Sequence, residues 1–329
     1  MAVEELARAP GLPALYGKAI YGSAAGTVAR WTAGRVGRPS GTTLPDTELL
    51  LRGVTVDRAK LAEYARVCGF TVTDTLPVTY PHVLAFPLAL ALMTTPGFPL
   101  PAAGLVHVAN RIVAHRPLDA AAALDLSVRA ERLRAHPRGQ QVDLVTVASV
   151  GGAEVWREVS TYLHRSRSAE ARPGGSAPAG APAVADRPAA VDEPRPPAGS
   201  DTGEAASDQP RGEPPEPTAV WRVDASVGSA YAAVSGDHNP IHTSRLAARA
   251  FGFRRRIAHG MWTKARCLAH LAPKLPAAYT VEVRFQAPVL LPATVGFSVT
   301  PDQDAWRFAL HSVPSGRPHL AGTVAWPPA

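Results

Sequence analysis

YAAVSGDHNPIHTSRLAARAFGFRRRIAHGM, residues 231–261, decides how this chain is read. Asp237, Asn239 and His242 place an acid, an amide and an imidazole close together. Gly236 and Pro240 are expected to keep them on a turn rather than in regular helix. A rigid Asn-Pro step holds two titratable side chains at a fixed separation, as a shared water molecule requires. On residue type alone Asp237 also reads as an Asx-turn residue. Further on, Gly260 opens an apolar run, Met261 to Leu271, that predicts a buried helix. The first amides of a helix lack intrahelical acceptors, so the Gly260 N–H is a candidate donor to developing negative charge.

S-G-D-x-N-P-I-H followed by I-A-H-G-M resembles the hydratase motif of the MaoC-like family, and looser matches extend to Phe285, Pro288 and Pro292. Members are hot-dog-fold (R)-specific enoyl-thioester hydratases and 3-hydroxyacyl-thioester dehydratases. The resemblance implies catalytic roles for Asp237 and His242 and an oxyanion role for the Gly260 amide. The residues themselves suggest that Ser235 donates to the Asp237 carboxylate, that Asn239 fixes the turn or a substrate amide, and that His259 holds the loop. Tyr231 reads as packing.

Working outward, residues 166–217 are rich in Pro, Ala and Gly, and their only aliphatic residues larger than alanine are Val184 and Val191. That is too little to offset ordering entropy, so they read as a disordered linker. On its C-terminal side, residues 218–329 form a unit: a strand at Ala219–Val223, a short helix capped by Asp224, the motif, the helix from Met261, and four strands. These begin at Tyr279, Thr294, Trp306 and Leu320. On its N-terminal side, residues 49–165 repeat that order: a strand over 49–56, Asp57 capping a helix over 58–67, an apolar helix from Val83 to Met93, and four strands. Residues 1–48 read as an arm with a short helix near Leu15 to Ile20 and no assigned role.

The repeat can be followed residue by residue. Tyr64 to Phe70 aligns with Tyr231 to Asp237, so a phenylalanine stands where the second unit has its acid. Pro81-His82-Val83-Leu84 aligns with Ala258-His259-Gly260-Met261, and Arg116-Pro117-Leu118 with Ala287-Pro288-Val289. Nothing between Phe70 and His82 matches Asn239, Pro240 and His242. The expected fold is therefore α+β, a tandem hot-dog in which each unit wraps an antiparallel sheet around a central helix. One unit is catalytic, and the other is degenerate and shapes the acyl pocket with the helix Val83–Met93.

Composition narrows the function. An apolar content of 46% supports packed cores, and Cys68 and Cys267, both in apolar segments, read as buried thiols of a reducing compartment. The N-terminus has no secretory pattern and no stretch is long enough to span a membrane, so the cytoplasm is expected. The net charge of +7 comes mostly from arginine. With 6% aromatic residues and no zinc-finger or RNP pattern, nucleic acid is not expected as a partner. Coenzyme A phosphates or an acidic carrier protein fit better, with Arg245, Arg254, Arg255 and Arg256 as candidate contacts. Pro240 separates His238 from His242, and no H-E-x-x-H occurs, so no metal is expected. No cofactor is expected beyond the CoA or acyl-carrier protein bearing the substrate. The expected activity is (R)-specific hydration of 2-enoyl thioesters, or the reverse dehydration. The alternatives are a non-catalytic acyl-thioester binding module and a hot-dog thioesterase. The pair of units suffices alone or dimerises again.

Overall fold

The computed structural model describes residues 1–19, 43–102, 104–165 and 216–326. The linker assigned to residues 166–217 therefore falls almost wholly outside the described residues. Among the described residues, eleven strands form one sheet in the order β1-β2-β4-β5-β6-β3-β8-β11-β10-β9-β7. They comprise β1 (Ala2–Glu5), β2 (Thr47–Val54), β3 (Leu105–Ala114), β4 (Leu124–His136), β5 (Gly139–Val150) and β6 (Ala153–Arg165). In the second half lie β7 (Ala219–Val223), β8 (Tyr279–Phe285), β9 (Ala293–Pro301), β10 (Ala305–Ser312) and β11 (Pro318–Ala325).

The sheet order contains the repeat. Inside the edge strand β1 the first half runs β2-β4-β5-β6-β3, and from its own edge the second runs β7-β9-β10-β11-β8, the same sequence of equivalent strands. The halves join where β3 pairs antiparallel with β8, from Ala109↔Arg284 to Ala114↔Tyr279. Each half folds its strands over one apolar helix, α3 (Tyr80–Met93) or α7 (Gly260–Leu271), as a tandem hot-dog. In α3 ten of fourteen residues are buried, so this helix is core on nearly every side.

The shorter helices also match. α2 (Arg58–Cys68) has Asp57 as its N-cap, accepting from the amides of Ala59 and Lys60, and ends on Gly69 at φ 84°. α4 (Val227–Ser235) ends on Gly236 at φ 75°. Both glycines adopt the left-handed turn that stops a helix sharply, and each returns its N–H to a carbonyl in the last turn, Ala65 or Ala232. Tyr64 and Tyr231, paired in the sequence repeat, face each other with ring centroids 6.1 Å apart. Cys68 and Cys267 are buried free thiols.

Three local expectations change. Ser226, not Asp224, is the N-cap residue of α4, and Asp224 instead accepts from the Ser226 amide and hydroxyl at 2.8 Å each. The arm is more ordered than expected: β1 lies parallel to β2, and α1 covers residues 12–19, starting before Leu15. Pro240 does not prevent helix; it starts the one-turn α5 (Pro240–Thr243), because proline at the first helical position removes an N–H that has no partner anyway.

Candidate active site

The residues from Gly236 to Gly260 are held by backbone and side-chain bonds specific to this sequence. After the left-handed Gly236, Asp237 accepts the Asn239 amide on Oδ1 at 3.1 Å. This is the Asx-turn considered above, and it presents the same carboxylate to a pocket. Asn239 then caps α5, its Oδ1 accepting from the Ile241 amide at 3.4 Å. Ser244 caps α6 (Arg245–Ala250), and the chain returns to α7 through a bridge between Ile257 and Leu290. The Ala258 amide donates to the Val289 carbonyl at 2.9 Å, which anchors the residues before His259.

Asp237, His242, His259 and Gly260 meet in one pocket of about 230 Å³. Ligand-type atoms of Asp237, His242 and His259 lie within 4.8 Å of one another. Such spacing suits a water bonded to two of them, and it is also a three-ligand cluster that a metal ion could occupy. The His242 and His259 rings stack at 3.6 Å. His242 Nδ1 sits 2.9 Å from the Ile257 carbonyl, so in the neutral ring Nδ1 carries the proton and Nε2 keeps its lone pair. His259 donates from Nε2 to the Asp237 carbonyl at 2.9 Å, which ties the start of α7 to the acid's own backbone. Gly260 is the first residue of α7, so its N–H has no intrahelical acceptor.

Burial sets the protonation states. Desolvation lowers the His242 pKa against the pull of Asp237 and the Ile257 bond. His259 is pushed down to about 3, by burial first and by its neighbour His242 second. Burial pushes Asp237 the other way, but the two histidines and the Asn239 amide outweigh it and leave the pKa below the usual carboxylate value. At neutral pH the site holds a carboxylate beside two neutral imidazoles, the charge pattern of a general base with an anionic partner.

The other candidate residues are placed differently. The Ser235 hydroxyl donates to the Tyr231 carbonyl at 2.7 Å and accepts the Asp237 amide at 3.2 Å; it does not donate to the carboxylate, because one proton on the last turn of α4 is already committed. Arg245, Arg254 and Arg255 are exposed, and none of these, nor Arg256, lines the pocket. The α5–α6 excursion turns them outward, where Arg255 donates to the Pro292 carbonyl and Arg256 to that of Thr243. The exposed arginines lining the pocket are Arg138 and Arg165, both from the first half.

Two contributions were missed in the sequence. Tyr16, on α1, accepts from the His238 amide at 2.7 Å, and its hydroxyl lies 3.0 Å from the Gly236 carbonyl and 3.4 Å from Asp237 Oδ1. No local pattern in the arm signals a contact with residues more than two hundred positions away. Gly228 is the other. A Cβ there would stand 2.3 Å from the His242 carbonyl oxygen, so only glycine lets α4 lie this close to α5. The first half supplies the opposite wall with His82, Phe86, Leu90 and Met93, one face of α3.

Comparison with known proteins supplies the family. Residues 204–317 match the MaoC like domain. The chain is 39% identical over 281 residues to 3-hydroxyacyl-thioester dehydratase X of Mycobacterium tuberculosis, covering 85% of this chain and 90% of that protein. The chain belongs to the MaoC-like dehydratase family. Its reaction class is that of a hydro-lyase. A crystal structure of HtdX from the same organism superposes with a TM-score of 0.68 at 36% identity, over 84% of this chain and 98% of the other. A MaoC-like dehydratase from Phytophthora capsici, 17% identical with a TM-score of 0.63 over 86% of this chain and 96% of its own, shares the fold. Among the described residues of this MaoC-like chain, no helix is long and apolar enough to cross a membrane.

Proposed function

We propose that this MaoC-like protein interconverts 2-enoyl and (R)-3-hydroxyacyl thioesters, with Asp237 and His242 as its acid–base pair. What carries the assignment is the meeting, in one pocket, of the Asp237 carboxylate, a neutral His242 with Nε2 free, and Gly260 at the start of α7. In the hydration direction Asp237 orients a water and His242 Nε2 takes its proton as the oxygen bonds to the β carbon. The π electrons of the double bond move to the thioester oxygen, which the Gly260 amide and the positive end of α7 stabilise. A proton from the Asp237–His242 pair then closes the α carbon. Dehydration is the same path reversed, and mass action sets the direction.

No cofactor takes part in this scheme. The acyl chain lies along Phe86, Leu90 and Met93, and the carrier's phosphates or acidic side chains meet Arg138 and Arg165. The test is loss of the ultraviolet enoyl band when the protein is added to crotonyl-CoA and to a longer 2-enoyl-CoA. Loss with the wild type but not with Asp237→Asn is expected. Release of free thiol without hydroxyacyl thioester would make the protein a thioesterase, and binding without turnover of either CoA or carrier-protein substrates would make it a binding module.

A further inference from the structure

The half without a counterpart of Asp237 and His242 still places a histidine in the pocket. His82 lies in the first turn of α3 and heads the row that continues through Phe86, Leu90 and Met93. Its Nδ1 is 2.9 Å from Oε2 of Glu158 on β6, which fixes Nδ1 as the donor and leaves Nε2 unengaged by that bond. Behind it runs a buried polar chain. Glu158 Oε1 accepts from Asn110 Nδ2 at 2.6 Å, and Asn110 Oδ1 accepts from Nζ of Lys264 on α7. Glu158, Asn110 and Lys264 are 1%, 2% and 0% exposed.

Burying a carboxylate and a lysine is expensive in desolvation, which pushes the Lys264 pKa down to about 7, and apolar side chains of similar volume would hold the two halves together at least as well. Of the four residues, only His82 lines the pocket. Packing keeps its ring in plane: His107 stacks on it at 6.3 Å and 19°, and His107 in turn stacks on Tyr162 at 4.6 Å. The geometry thus resembles a metal-free version of an oriented histidine, in which a carboxylate behind one nitrogen aims the other.

We propose that His82 touches the substrate and that its Nε2 accepts a hydrogen bond from the 3-hydroxyl group of the hydroxyacyl thioester, with Glu158, Asn110 and Lys264 as positioning residues. An acyl tail laid along Phe86, Leu90 and Met93 brings its polar reacting end to the head of the row, at His82. The 3-hydroxyl group then lies between the two halves, with Asp237 and His242 on one side and His82 on the other. This rests on the hydro-lyase assignment above, but its test needs no turnover.

In the Asp237→Asn background, 3-hydroxybutyryl-CoA and butyryl-CoA are titrated and the ratio of their affinities measured. His82 intact should favour the hydroxyacyl ligand. His82→Phe should cut that preference about tenfold, the scale of one lost hydrogen bond to a buried group, with butyryl-CoA affinity kept. His82→Gln, whose amide oxygen retains an acceptor, should restore part of it. Glu158→Gln, which leaves His82 in place but loosens it, should lie between, and it carries the test if far-ultraviolet circular dichroism shows the Phe variant unfolded. An unchanged ratio in Glu158→Gln and in the folded His82 variants, or equal weakening of both ligands, overturns the proposal. A wild type inactive on all thioesters would sink the hydro-lyase reading instead, and the ligand ratio would still report on His82.

Discussion

At Gly69 and Gly236 the two halves do the same thing, and one residue later they part. Each glycine ends a helix in the left-handed conformation, but Phe70 follows the first and Asp237 the second. From there the first half reaches α3 over residues 69–79 without a helix, whereas the second takes residues 236–259 to reach α7 and fits α5 and α6 into the detour. The central helices also begin differently. Val83, aligned with Gly260, is the fourth residue of its helix, because α3 starts three residues before it, whereas Gly260 is the first residue of α7. The scaffold is kept in both halves and the Asp237–His242–His259 cluster in one, so the shared fold is not what makes that cluster. The connection between the helices is.

Several variants would break that contrast. Asp237→Asn and His242→Ala should each reduce turnover roughly a hundredfold or more, as expected for general acid–base groups, with circular dichroism and melting temperature near wild type. If the detour as a whole carries the chemistry, Phe70→Asp added to Asp237→Asn should recover nothing in the same enoyl-band assay. Gly228→Ala should lower kcat by about tenfold or more, because its methyl group must push the His242 backbone away and misplacement of that order is costly. Tyr16→Phe should lower kcat by up to about tenfold with KM little changed, since it removes the hydroxyl shared by His238, Gly236 and Asp237 while keeping the ring.

The smallest effect concerns pH. His259 is held to about 3 when folded, whereas an unfolded histidine titrates near 6.5. Between those values the unfolded chain binds the extra proton, so stability is complete above pH ~6.5 and falls as pH drops toward 3. His242 and Asp237 are lowered as well and act in the same direction. The melting temperature should decline on acidification through this window, less steeply in a His259→Asn variant.

Much of this was legible in the sequence, because most of the elements are amphipathic or apolar at periods a reader can count. The strands Ala219–Val223 and Tyr279–Phe285 carry the boundaries expected from the residues alone. The repeat around Tyr64 and Tyr231 already implies the two-part sheet. The misses share a cause. The Ser235 bond, the outward turn of Arg245, Arg254 and Arg255 between α5 and α7, and the arrival of Arg138 and Arg165 all depend on where a segment points after its neighbours pack. Neither periodicity nor residue type encodes that direction. Tyr16 is the extreme case, since its partners are set by α1 crossing to the other half.

The pairing of β3 with β8 has a kinetic consequence. Where two separate chains build a pocket between them, dilution can pull wall and acid apart, and specific activity then falls with enzyme concentration. Here Asp237 and the α3 face belong to one polypeptide across an uninterrupted antiparallel ladder, so each meets the other at a local concentration fixed by the fold. A single molecule, at any dilution, carries both sides of its own cleft.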